Sequence, residues 1–240
     1  MRELTGRDEL LFITGEGPAS RLVALLEELG AVGEETVRGW SMAAWEAELL
    51  DLRTRMSGPA VEAELHCPDC GEGVAVAFDL QDLPCQQPAP VSAPLPLSPF
   101  TVADLLALED TGATGEEALA VLLASAARIS KPAADEWLRG ADRSAVLDAL
   151  EVLASGLGLE MATRCAACDA PFTSVFDVAL FMDAEMGLRA ARLLGEVHLI
   201  ASTYHWSESE ILGLPHRRRQ DYLGRILVER PLLVGSDAGA

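Results

Sequence analysis

The chain has no apolar run near the roughly 18–20 residues a membrane-spanning helix needs, and its first residues, Met1-Arg2-Glu3-Leu4-Thr5-Gly6-Arg7-Asp8, lack the basic-then-apolar layout of a signal peptide. The expectation is a soluble cytoplasmic protein without a membrane span. Positive charge is also scarce: 18 Lys and Arg face 38 Asp and Glu, for a net charge of −20. A nucleic-acid binder needs a cationic surface to displace counterions, so no nucleic-acid partner is expected. The deficit is uneven, with a net of −21 over residues 1–185 and +1 over 186–240, as though the two stretches face different surroundings. Lys131 is the sole lysine. Phosphate-cradling glycine loops are missing too, since Gly15-Glu16-Gly17-Pro18 is short and carries no Lys. No Ser–His–Asp or paired-carboxylate pattern stands out, and a non-enzymatic protein is expected.

What the sequence does have is a pair of matched segments. Cys67-Pro68-Asp69-Cys70 and Cys165-Ala166-Ala167-Cys168 lie 98 residues apart, and that offset aligns 40–83 with 138–181 without a gap. Ala43, Leu49, Leu52, Ser57-Gly58, Glu62 and Phe78-Asp79 all recur. Eleven identities in 44 positions is a modest score for an Ala- and Leu-rich chain, so the shared order of features carries the comparison. Each copy reads as a helix, a Ser-Gly stop, a short alternating strand, the cysteine turn and a returning strand. The strands are expected near 61–65 and 74–78 in one copy, and near 159–163 and 172–176 in the other.

Around these units the chain reads as helical. Pro18 followed by Leu22, Leu25, Leu26 and Leu29, then Gly30, makes a punctuated amphipathic helix. The proline-rich stretch 84–99 reads as an extended connector. Thr101 and Asp104 resemble a capping box, leading into helices near 102–110 and 115–128. A long helix near 179–204 carries a stripe of Met182, Met186, Leu193, Val197, Ile200 and Tyr204. Ser207 and Glu210 have capping-box spacing, flanked by Trp206 and Ile211 at staple positions, and Pro215 starts a last helix. Residues 235–240 are expected to be disordered.

The expected class is therefore α+β and mostly α-helical, with two duplicated helix–hairpin units brought together between helical terminal segments. The segments are 1–83, the connector 84–100, 101–181, and 182–240.

In a reducing compartment the cysteines point to metal or redox chemistry before disulfides. Two Cys-x-x-Cys turns between strands supply the four soft ligands of a tetrahedral structural zinc site, so Cys67, Cys70, Cys165 and Cys168 are the candidate ligands. Reduced thiols with a degenerate second pair, lacking the Pro and Gly that surround the first, remain an alternative, as does a dithiol oxidoreductase. The latter usually lowers its thiol pKa at a helix N-terminus, whereas both pairs here precede expected strands. Cys85, alone in the connector, reads as an incidental thiol. His66 adjoins Cys67, but strand alternation turns it away. Arg217-Arg218-Arg219 permits two readings, a solvated helix face bonding nearby acids or a docking patch for an acidic partner surface.

Three stretches carry a family likeness: the helix with Arg21-Leu22-x-Ala24-Leu25-Leu26, then Cys67-Pro68-x-Cys70-Gly71 with Phe78-Asp79-Leu80, and a C-terminal motif. That motif, the most specific part, is Glu196-Val197-His198-x-Ile200-Ala201-x-x-Tyr204-x-Trp206-Ser207-Glu208-x-Glu210-Ile211-Leu212-x-Leu214-Pro215-x-x-Arg218-Arg219-x-x-Tyr222-Leu223. Together they form a resemblance to the bacterial relatives of the T-even phage baseplate hub assembly protein, found with contractile phage-tail-like injection systems. It implies a non-enzymatic assembly factor or component of a baseplate hub, cytoplasmic or incorporated in the particle, with hub, spike or tube subunits as partners. On that reading 179–230 is the partner-binding region, with Trp206, Arg217, Arg218, Arg219 and Tyr222 as candidate contacts. A zinc-stabilised adaptor in an unrelated complex is the alternative.

Overall fold

Apolar spacing of three and four residues, punctuated by caps, sets most of the fold. The structure is a computed structural model and describes residues 2–30, 32–83, 91–156 and 159–229, with Glu229 described by its backbone alone. In chain order the elements are α1 (Gly6–Glu9), α2 (Pro18–Glu28), α3 (Glu34–Arg38), α4 (Met42–Ser57), β1 (Ala60–His66) and β2 (Gly73–Asp79). They continue with α5 (Val102–Thr111), α6 (Gly115–Ala127), α7 (Lys131–Arg139), α8 (Arg143–Ala154), β3 (Glu160–Arg164) and β4 (Pro171–Val175). The chain ends with α9 (Val178–Tyr204), α10 (Glu208–Leu212) and α11 (His216–Glu229). The class is α+β, mostly helical, with two small antiparallel two-stranded sheets, β1–β2 and β3–β4. No helix among the described residues is long and apolar enough to cross a membrane.

By its contacts the chain divides into two units, Met1–Gly33 with Asp183–Ala240, and Glu34–Met182. This grouping cuts across the segments drawn from sequence, because the first 33 residues join the C-terminal stretch.

In the first unit, α2 buries Leu22, Leu25 and Leu26 as its leucine spacing requires. Leu193, Val197, Ile200, Ile211, Leu212 and Ile226 form an apolar cluster against which Trp206 and Tyr222 pack. Two capping boxes start short helices, Thr5 with Asp8 and Ser207 with Glu210, each acid accepting the cap residue's backbone N–H.

In the second unit, α6, α7 and α8 enclose Ala120, Leu123, Ala134, Leu138, Val146 and Leu150. Leu95 and Phe100 enter the same core, and Ser98 donates its N–H to the Ala126 carbonyl at 2.8 Å. The described part of the proline-rich stretch, 91–99, is therefore packed rather than a bare spacer. Residues 84–90, Cys85 among them, lie outside the described residues, as do 235–240. Helix α5 opens on the Thr101–Asp104 capping box. The cysteine hairpins complete this unit, and they share a pairing pattern. Glu62↔Ala77, Ala63↔Val76, Glu64↔Ala75, Leu65↔Val74 and His66↔Gly73 in one ladder become Glu160↔Val175, Met161↔Ser174, Ala162↔Thr173, Thr163↔Phe172 and Arg164↔Pro171 in the other. Each partner is displaced by the same 98 residues that align the sequences.

Candidate metal centre

Each knuckle is a turn closed by the backbone of its own hairpin. Cys67 donates its N–H to the Glu72 carbonyl at 3.0 Å, and Gly71 donates to the Cys67 carbonyl at 2.9 Å. Cys165 donates to Ala170 and Asp169 donates to Cys165, both at 3.0 Å. Gly71 turns with φ 74° and Asp169 with φ 59°. The missing glycine of the second knuckle thus leaves the turn intact, because Asp is among the few residues that tolerate the left-handed region.

The two turns bring all four sulfurs to one place. Cys67 Sγ lies 3.7 Å from Cys168 Sγ, and Cys70 Sγ lies 3.6 Å from Cys165 Sγ. The four ligand atoms all fall within 4.8 Å of one another. A tetrahedral ion with sulfur bonds of about 2.3 Å has sulfur–sulfur edges of roughly 3.8 Å, so the spacing fits a four-thiolate site. Exchanging each residue for its counterpart 98 positions away turns the first contact into the second, which is a twofold relation. Burial obeys it as well: Cys67 and Cys165 are buried, Cys70 and Cys168 exposed. Val74 and Phe172, counterparts under the same offset, pack against the buried pair.

The four thiols perturb one another unequally. Backbone N–H groups of Cys168 and Ala167 draw the Cys165 thiol down to about 7, with burial opposing them. At Cys70 the Glu72 N–H acts downward, but the neighbouring sulfurs of Cys165, Cys168 and Cys67 outweigh it and push the thiol up to about 12. Four sulfurs this close cannot all carry negative charge unless a counter-charge sits among them, which a divalent ion supplies. The arrangement is compatible with a metal site. Both knuckles lead into strands, so neither cysteine pair sits at a helix N-terminus. His66 stays outside the cluster, exposed and 3.7 Å from Glu64.

The other candidate residues lie in the first unit. Trp206, Tyr222 and Tyr204 form a ring trio with centroids 4.9–5.5 Å apart, all three half-buried. Arg217 and Arg218 are exposed on α11. Arg219 is a correction to the docking patch: it is wholly buried and takes no part in a surface cluster. Its Nε donates to Glu196 at 2.9 Å, one terminal nitrogen donates to the Leu214 carbonyl at 2.9 Å, and the other pairs with Glu9. The physical reason is helical geometry: successive residues on α11 point about 100° apart, so three adjacent arginines cannot share one face. Sequence reasoning missed Glu9 and Glu196 because their common partner is contributed from a distant part of the chain; an Arg one turn into an amphipathic helix was the available signal. Family models, curated proteins and solved structures were compared with the chain, and none matches it.

Proposed function

We propose that Cys67, Cys70, Cys165 and Cys168 hold one structural zinc ion, and that the protein is a non-enzymatic assembly factor or component of the baseplate hub of a contractile phage-tail-like injection system. The convergence of four sulfurs within 4.8 Å carries the metal half of this reading. Zinc is the ion of choice because four thiolates suit a soft, tetrahedral, redox-inert centre and leave no coordination position open for chemistry. Its role is mechanical. A two-stranded hairpin is marginal alone, and a shared ion fixes β1–β2 to β3–β4, with binding that supplies on the order of 10 kcal/mol of folding free energy in small zinc sites.

The hub half rests on the resemblance carried by residues 196–223. Several residues of that motif have structural work within the first unit: Glu196 pairs with Arg219, Ser207 caps with Glu210, and Tyr204, Trp206 and Tyr222 stack. The motif therefore encodes a defended local structure, which leaves Arg217, Arg218 and the outer edges of the aromatic trio to meet hub, spike or tube subunits. Placement of both knuckles before strands supports ligation over dithiol catalysis.

The test is affinity capture of the tagged full chain from cells that produce the particle, with finished particles assayed for the chain separately. Co-purification of hub, spike or tube subunits is expected, together with defective baseplates when the gene is deleted. Normal particles from the deletion strain, with no baseplate subunit captured, would refute the hub role and leave the zinc site to its own measurement.

A further inference from the structure

Several arginines of this acidic chain hold carboxylates of its own, among them Arg2, Arg21, Arg143 and Arg189. On α11 three do not. Arg217, Arg218 and Arg225 are exposed, and none makes an ion pair or side-chain hydrogen bond among the described residues, not even with Asp221 on the same helix. Arg218 and Arg225 stand seven residues apart, so helical geometry sets them about 10 Å apart along one stripe and within about 20° around the axis. Tyr222 falls between them, one turn from each. Its ring meets Trp206 at 4.9 Å and Tyr204 at 5.5 Å. The three half-buried rings pack on the cluster that contains Ile200, Ile211 and Ile226, which holds their outer edges in place. Val228, one turn past Arg225, is 82% exposed and extends the apolar surface.

We propose that this face binds an acidic segment of a partner protein, which lays apolar side chains on the ring trio and sets carboxylates against Arg218 and Arg225. Each part of that occupant answers one feature. A guanidinium left unpaired in a chain with 38 Asp and Glu has its donor fork open to a carboxylate from outside. Aromatic rings fixed on a core offer contact area with little ordering cost, and Trp, Tyr and Arg together are the usual anchors of protein interfaces. Nucleic acid could also stack on the rings, but it carries a charge at every nucleotide against a chain of net −20. A short acidic segment brings a few carboxylates to 186–240, where the net charge is +1. This deepens the hub reading and rests on it for the use of this face in docking; the zinc ligands take no part.

The experiment follows the indole N–H signal of Trp206 in the ¹⁵N-labelled full chain, identified as the one lost in W206F. The probe is an end-blocked hexapeptide with leucine and phenylalanine between two pairs of glutamates. A saturable shift of the Trp206 signal is expected, with binding at least about tenfold weaker when lysines replace the glutamates. Serines in place of leucine and phenylalanine should weaken it by about the same factor. R218A and R225A should each weaken binding roughly two- to fivefold. R192A removes an exposed charge about 18 Å along α9 from Tyr204 and should change binding less than about twofold. A Trp206 signal unmoved at millimolar peptide overturns the proposal. So does equal binding of the lysine peptide, or a loss in R192A as large as in R218A. Tighter binding of a single-stranded octathymidylate would show a nucleic-acid site and overturn the peptide reading. The hub test stays separate: peptide binding without captured baseplate subunits would keep this face and refute the hub, and captured subunits with a silent Trp206 signal would do the reverse.

Discussion

Phe78 and Phe176, 98 positions apart, meet edge to face with ring centroids 5.2 Å apart. Each ring touches its own counterpart, and such a contact arises only on a twofold axis. The cysteine contacts and the two ladders obey the same relation. The aromatic pair should therefore couple the hairpins independently of metal. F78L and F176L are each expected to destabilise, and a double-mutant cycle in urea should return a coupling of about 0.5–1.5 kcal/mol. Strict additivity would show that the rings are neighbours without energetic consequence.

The three arginines of α11 should separate sharply. Removing Arg219 strands Glu9 and Glu196, two buried carboxylates, and R219M is expected to cost about 3–5 kcal/mol in chemical denaturation. R217A and R218A, at exposed positions, should stay within about 0.5 kcal/mol. Equal effects at all three positions would contradict the buried placement of Arg219.

This contrast shows where the sequence is legible. Local signals read correctly: the leucine spacing of α2, the Thr101–Asp104 and Ser207–Glu210 boxes, and the strands flanking each knuckle depend on residues a few positions apart. The convergence of Cys67, Cys70, Cys165 and Cys168 was also readable, because two matched turns imply a shared location. Arg219 was not, since its fate is decided by Glu9, 210 residues away, and an isolated sequence gives no sign of that pairing. Helix α7 was missed although Pro132 lies in its first turn, a start signal that went unused between longer elements. The missing glycine of the second knuckle is a weaker signal than it looks, because Asp169 adopts the left-handed turn in its place.

Asp8 makes acid sensitivity predictable in sign. Burial pushes its carboxyl up, but Arg2, at 2.5 Å, and the Thr5 backbone and hydroxyl outweigh burial and hold it below the usual 3.8. A carboxylate depressed in the folded state contributes stability that is complete above the unfolded value and is lost as pH falls through the folded one. Wild type should exceed D8N in stability at pH 6, and the gap should close as pH drops below about 3.8. A difference that is constant across pH in urea titrations would contradict a charge-dependent role.

The zinc site predicts linked losses. C67S and C70S, and equally C165S and C168S, should lower metal content and thermal stability together, since a tetrahedral centre that loses one of four thiolates loses much of its affinity. If only the first knuckle mattered, C165S and C168S would keep full metal content, which metal analysis of the purified variants would reveal.

The most direct measurement is elemental analysis of the full chain purified without chelator or added metal, read beside the number of thiols that react under native conditions. One zinc per chain is expected, with Cys67, Cys70, Cys165 and Cys168 unreactive until the ion is removed. Metal-free protein that is folded and stable, with those four thiols freely reactive, would contradict the account at its centre.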